Sequence, residues 1–452
     1  MQRAIGLRGA VAINVITMIG IGPLITIPLV LSALGGTLAL TAWIAGAVLA
    51  LCDGLVWAEL ASRLPGSGGT YVYLRNAFGE QRWGRAFAFL FNWQCLLFYP
   101  CTAATGYIGI ANYGAYIAPV FASNVLARDA LAVGAGLLTI ALLYRKTSQV
   151  ASFGKALGVA AGVTIVIVTV AAFVHGHVAP PVSAAAPFHF GTAFLAGFAT
   201  GLYIAMYDYG GYNTVALVGD EVERPARTIP LAIVLAVLIV ALLYVCLQAG
   251  VLSAIPWQSL LDAHGAPTAQ AQYVGSTIVQ LAWGPSAAIA VTVLILITAF
   301  ASLYGNLFGA SRIPYAAARD GAFIPAFGKL HPKGDFPYVS LLAIGGLSLV
   351  ASFFTLDLVI AILTAGIVLI QSIAQIVALA VLRKTRGPAP FRMPLYPLPA
   401  LDALGGWILA FVYTGPTAIL FGTGWLLCGA IAFLFVARVE RWWPFGDQTT
   451  LK

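Results

Sequence analysis

Ile19-Gly20-Ile21-Gly22-Pro23 sits in the middle of an apolar run that extends from residue 9 to 34. In a helix interior a glycine costs roughly 1 kcal/mol and a proline roughly 3, so a helix crossing here breaks. The sequence predicts a half-helix ending near Met18 with free carbonyls. Another starts near Leu24, with Pro23 suited to its first turn and its positive dipole end facing the break. A second run, 190–221, carries Tyr207-Asp208-Tyr209-Gly210-Gly211-Tyr212-Asn213 in its middle. Hydrocarbon cannot solvate free backbone N–H and C=O groups, so broken helices at that depth must line a cavity or be buried in protein. One interruption in each half of a chain points to the substrate site of a secondary transporter. A zwitterion fits such a site: its carboxylate meets the free N–H groups and its ammonium the free carbonyls.

Composition supports the membrane reading. Only 8% of the 452 residues are charged, 61% are hydrophobic and the mean hydropathy is +0.94. That is too little charge to cover a soluble protein of this length, and the short alternating strands of an outer-membrane barrel are absent. The net charge of +8 is dealt out among the connections between spans rather than gathered in a patch. It therefore speaks for topology and against a nucleic-acid partner. The five cysteines lie inside apolar segments without metal-ligand spacing and read as small hydrophobes. No cleavable signal pattern opens the chain. No metal and no cofactor are expected.

Windows of about 20 apolar residues give about twelve spans, near 9–34, 37–62, 84–118, 128–144, 150–174, 190–221, 228–252, 286–318, 338–355, 358–382, 400–419 and 421–438. Gly405-Gly406 and Gly415-Pro416 interrupt the last two. With the N-terminus inside, Arg8, Arg63, Arg75, Arg145, Arg224, Arg319, Arg383 and Arg438 all fall on the cytoplasmic side, and Arg128 on the other. This alternation predicts a multi-pass protein of the cell membrane with both termini cytoplasmic. The loops 253–285 and 319–337 are each long enough for a short amphipathic helix.

The run from Tyr207 to Pro230, YDYGGYNTVALVGDEVERPARTIP, resembles the sixth span and following loop of the amino acid-polyamine-organocation superfamily. It is most like amino acid permeases related to the light subunits of heteromeric amino acid transporters. Gly20-Ile21-Gly22 is similar to the Gly-Ser-Gly of that family's first span, and Glu59-Leu60 with Gly66 to Tyr71 to its second span and loop. Ser302 to Phe308, with Arg312 and Ala318 to Gly321, is similar to its eighth. The resemblance implies an all-α LeuT-type fold of 12 transmembrane helices: two inverted five-helix repeats, 5–175 and 188–384, and two additional spans at 395–440, with helices 1 and 6 unwound at mid-membrane. It also implies alternating access. Substrate would be held by Ile19, Gly20, Ile21 and Gly22 on one side and by Tyr207, Asp208, Tyr209 and Gly210 on the other, with Tyr207 as the aromatic gate. Lys155, meeting Ser302 and Asn306, would replace a sodium ion and make transport sodium-independent. Ile21 departs from the family by removing a hydroxyl, and Asp208 by placing a carboxylate where a small residue is usual.

Ionisable groups at depth are costly and therefore point to function. Asp208 can bind a cationic amine, carry a coupling proton, or cap a broken half-helix. Asp53, deep in the second span, is a further candidate proton carrier without a partner that the sequence names. Glu59 lies nearer the surface, where loop arginines can pair with it. The function expected is a permease for amino acids, by proton-coupled symport or exchange; the alternative is a carrier of polyamines or organic cations. No catalytic cluster and no repeated selectivity filter argue for an enzyme or a channel. The expected partners are the small-molecule substrate and membrane lipid, with no obligatory protein subunit.

Overall fold

The computed structural model describes residues 5–65, 68–144, 147–176, 189–334 and 336–446, with the backbone alone for 147–159 and Asp220. Among the described residues the chain is helical, with no strand; the only pairings of that kind are isolated bridges, Ile5 with Val222 and Leu261 with Pro267.

The first predicted break is present. Helix α1 (Leu7–Met18) stops at Ile19, and α2 (Gly22–Leu34) begins with Pro23 in its first turn. The two axes bend by 54°. The chain then enters α3 (Ala39–Arg63), α4 (Thr70–Ala77) and α5 (Trp83–Ile117), which runs unbroken through Pro100 for 35 residues. A single turn, α6 (Val120–Ser123), leads to α7 (Val125–Leu143) and α8 (Thr147–Gly176).

The second half repeats the pattern of a broken span. Helix α9 (Thr192–Tyr209) ends at Gly210, and one turn of helix, α10 (Thr214–Leu217), resumes after the gap. The break therefore starts three residues later than the sequence suggests. Tyr207, Asp208 and Tyr209 stay helical because nothing in them opposes a helix, whereas Gly211 adopts φ 111°, which only glycine enters freely. Next come α11 (Pro225–Ala254), α12 (Val274–Trp283), α13 (Pro285–Ala310), α14 (Arg312–Arg319) and α15 (Tyr338–Ala351). Helix α16 (Leu356–Ile367) passes through a seven-residue π-helical stretch, Val368–Ala374, into α17 (Gln375–Thr385). Helices α18 (Leu398–Tyr413) and α19 (Pro416–Val439) close the fold. Gly415-Pro416 separates these two, but Gly405-Gly406 does not interrupt α18, where Gly406 faces Leu49. The loop 253–285 does hold a short helix, α12, and 319–337 a turn of 3-10 helix at Pro325–Gly328.

Among the described residues, six helices are individually long and apolar enough to cross a membrane, and the bent pair α1–α2 makes a seventh. Three shorter apolar helices, at Ala160–Gly176, Tyr338–Ala351 and Leu398–Tyr413, accompany them. Packing places the breaks at the centre: α1 lies on α11, α2 on α9, and α3 between α9, α11 and α18. The long α5 packs against α13, α15 and α16. All five cysteines are free; Cys95 and Cys101 are buried as expected, whereas Cys428 is exposed on α19.

Candidate functional site at the two helix breaks

The two interruptions meet. A Cβ built on Gly211 would lie 3.0 Å from the backbone of Thr17, so the second break rests on the last turn of α1. Asn14 spans the same junction, its Oδ1 accepting from the Val215 N–H at 2.9 Å. That bond satisfies one of the free donors at the start of α10. Within the first break, Ile19 N–H still donates to Val15 and Leu24 N–H to Ile21. The N–H groups of Gly20 and Ile21 find no backbone acceptor among the described residues, and Gly22 N–H is free by its place at the head of α2. Three successive donors thus lie at a helix N-terminus, an arrangement that attracts negative charge.

Asp208 answers that charge from within the protein. Thr26, in the second turn of α2, donates to its Oδ2 at 2.6 Å. Its Oδ1 is buried without a hydrogen-bond partner and lies against the Cα of Gly22, where any added Cβ would collide with it. No basic side chain pairs with it among the described residues. The carboxylate sits beside the α2 N-terminus, in the place the capping alternative calls for, with one oxygen still unclaimed.

Tyr207 stands next to it. Its ring edge would come 3.4 Å from a Cβ on Gly22, and its hydroxyl pairs with Thr105 Oγ1 at 2.5 Å, linking α9 to α5 across the break. Tyr209, one residue beyond Asp208, turns the other way. It is fully buried, donates to the Trp43 carbonyl at 3.0 Å and packs with Trp43 and Tyr244. Ile19 and Ile21 are buried, and the Ile21 side chain lies over Gly109 of α5. Gly210 and Ser302 are both exposed. Ser302 Oγ would be 2.8 Å from a Cβ on Gly20, which places α13 on the first break. Asn306 is one turn further along, with its Oδ1 buried and unpartnered. The side chain of Lys155, in α8, lies outside the described residues.

The carbonyl end of α1 is held by a residue the sequence reading missed. Tyr244 of α11 donates to Met18 O at 2.9 Å, with Asp208 O at 3.5 Å from the same hydroxyl. Its only signal is a buried phenol in an otherwise aliphatic run, as for Thr26 and Thr105 in theirs. Tyr244→Phe is expected to lower the thermal stability of the purified protein by about 1–3 kcal/mol, the cost of leaving a buried acceptor unmade. An unchanged melting temperature would show that the phenol does not hold the break.

The two other membrane carboxylates have found partners. Asp53 accepts from Tyr212, just past the second break, at 2.6 Å, and from Trp407 of α18 at 3.1 Å. Glu59 is fully buried and pairs with Arg63 of its own helix and Arg383 of α17, so helix-end arginines rather than loop arginines neutralise it. Among the described residues no cluster of three His, Cys, Asp or Glu side chains could hold a metal.

Residues 5–444 match the family described as amino acid permease. The chain is 25% identical over 440 residues to the serine/threonine exchanger SteT of Bacillus subtilis, covering 95% of this chain and 93% of the exchanger. It is 31% identical over 369 residues to a vacuolar cationic amino acid transporter 4 of Arabidopsis thaliana, covering 76% of this chain and 57% of that one. An uncharacterized transporter of Mycobacterium tuberculosis is 30% identical over 351 residues, 76% of this chain and 72% of that transporter.

Proposed function

Because this chain belongs to the amino acid permease family, we propose that it moves amino acids across the cell membrane by alternating access, binding them where the two broken helices meet. It is a membrane transporter and not an enzyme. The observation that carries the proposal is the contact between the breaks: unpaired N–H groups at Gly20 to Gly22 beside the end of α9, with Tyr207 bridging to Thr105. Backbone groups freed inside a membrane protein need a partner, and a small charged solute supplies one. In this reading the substrate carboxylate approaches the head of α2, the amine lies toward the carbonyls around Tyr207 and Asp208, and Tyr207 closes over it.

The proposed architecture has twelve spans in two inverted repeats, 5–175 and 188–384, followed by 395–440. The α1–α2 and α9–α10 pairs are its first and sixth spans, and α18 and α19 its last two. Lys155 in α8 would act with Ser302 and Asn306 in place of a sodium ion, so transport does not need sodium. Both termini are cytoplasmic in this arrangement, the protein works without an obligatory partner subunit, and Asp208 and Asp53 are the candidate proton carriers.

One feature favours cationic substrates within this class. Asp208 places a carboxylate at the α2 N-terminus with a free oxygen, which opposes an incoming carboxylate and attracts an ammonium or guanidinium group. Two of the relatives have the printed name cationic amino acid transporter 4. A carrier of polyamines or other organic cations is therefore the second reading.

Uptake of labelled amino acids into vesicles containing the purified protein tests both readings. The expected result is uptake displaced by unlabelled amino acid, equal in sodium and choline buffers, and weakened roughly tenfold for cationic substrates by Asp208→Asn. Displacement by putrescine but by no amino acid would establish the second reading instead. A requirement for sodium would remove the proposed role of Lys155.

A further inference from the structure

The head of α5 and the turn that follows α19 meet in a patch remote from the helix breaks. Trp83, the first residue of α5, is 58% exposed, and its ring lies 4.7 Å from that of Trp443. Two residues on, the Arg85 guanidinium sits 4.9 Å over the ring of Trp442. Tryptophan beside arginine is the chemistry of a membrane–water interface, where an amphipathic ring meets both acyl chains and polar heads.

Positive charge converges at the same place. Arg75 of α4 pairs with Glu80, in the turn before α5. Arg85 and Arg386 act on the same carboxylate from further off, and with Arg75 they hold it below the usual carboxylate range. Arg386, just past α17, is fixed by its bond to Asn76 Oδ1 at 2.8 Å. Three guanidinium groups from three separate elements thus face one carboxylate, a net charge of +2. Neither Arg85 nor Arg386 has an ion pair among the described residues. Orienting a span needs positive charge on the correct side, not its convergence on one point. Like charges drawn together repel unless an anion joins them.

The adjoining surface selects the anion. Leu434, Phe435 and Val439, in the last two turns of α19, are exposed and apolar, Phe435 at 70%. Phe445, beyond Trp443, is exposed as well. A free phosphate or a nucleic acid has no use for such a surface, whereas an acyl chain covers it.

We propose that this patch is a headgroup site for an anionic phospholipid. The lipid phosphate lies among Arg85, Arg386 and Arg75, the Trp83 and Trp443 rings border the glycerol, and the acyl chains run along Phe435 and Val439. In the proposed topology this is a lipid of the inner leaflet. The site does not depend on which solute the protein carries.

The test is a lipid titration of the full-length, delipidated protein in detergent, with bound lipid counted by native mass spectrometry. The first dioleoyl phosphatidylglycerol is expected to bind roughly tenfold more tightly than dioleoyl phosphatidylcholine. Arg85→Gln and Arg386→Gln are each expected to cut that preference about fivefold, the worth of one basic side chain at a lipid surface, while Arg85→Lys keeps most of it. Glu80→Gln frees Arg75 and should raise the preference by a similar factor, a gain that a damaged fold cannot produce. Equal binding of the two lipids by the wild type, an unchanged preference in either arginine-to-glutamine variant, or a preference not raised by Glu80→Gln would overturn the proposal. Excess inorganic phosphate should leave the phosphatidylglycerol bound; its displacement would reveal a free-anion site and overturn the proposal equally.

Discussion

Glu59→Gln is expected to destabilise the protein by roughly 3–5 kcal/mol, the cost of removing one partner from a buried charge network. Glu59 is fully buried in α3 and receives Arg63 Nε at 3.0 Å and Nη2 at 2.7 Å, Arg383 Nε at 2.8 Å and the Met393 N–H at 2.8 Å. A second contact with the Arg383 guanidinium completes the set. Every carboxylate lone pair is thereby used, and the two guanidinium groups lie only 4% and 19% exposed. Neutralising the carboxylate leaves two cations facing each other with little water to screen them. The loss is also architectural, because this network fastens the end of α3 to α17 and to the segment that follows it. Arg63 donates to Gly387 O at 2.7 Å and Ser62 to Phe391 O at 3.2 Å in the same seam. Thermal unfolding in detergent measures the effect, and Glu59→Gln combined with Arg383→Gln should recover part of it, since one of the stranded charges is gone. A melting temperature equal to that of the wild type would show that the seam carries no net stability.

The same seam shows which parts of the fold the sequence could express. Local signals were readable: Gly20, Gly22 and Pro23 oppose helix within five residues, and α1 stops and α2 starts where that chemistry demands. Gly210-Gly211 marked the second break equally well. The tyrosines before it do not break a helix, so its edge lies at Gly210 rather than Tyr207. Partnerships across the chain were not readable. Glu59 announced a need for cations, but nothing near it in sequence names Arg383, 324 positions away. Asp53 likewise needed a donor, and only the packing of α3 against α18 and the second break supplies Trp407 and Tyr212. At the candidate site the backbone half was legible from glycine and proline. The side chains that position it, Thr26, Thr105 and Tyr244, were not, because one hydroxyl in an apolar run carries no indication of what it meets.

Gly22→Ala is expected to cut uptake roughly ten- to a hundredfold, the range set by overpacking costs of about 1–3 kcal/mol. The added methyl would meet Asp208 Oδ1, closer than any real contact allows, with the Tyr207 ring edge 3.4 Å away. Asp208 cannot simply retreat. Its other oxygen is bonded to Thr26 and the residue is only 3% exposed, on a helix packed along α2. Either the head of α2 shifts away from α9 or the carboxylate loses its bond, and each outcome moves the free N–H groups of the break relative to Tyr207. Steric and electrostatic roles separate in the double variant. Gly22→Ala with Asp208→Ala removes the collision and the charge together. It should regain uptake of neutral amino acids over Gly22→Ala alone, while cationic substrates stay weak because their counter-charge is missing. Equal recovery for both substrate classes would show that Asp208 only fills space beside Gly22. Normal uptake by Gly22→Ala itself would mean that the two broken helices do not approach each other at this point during transport.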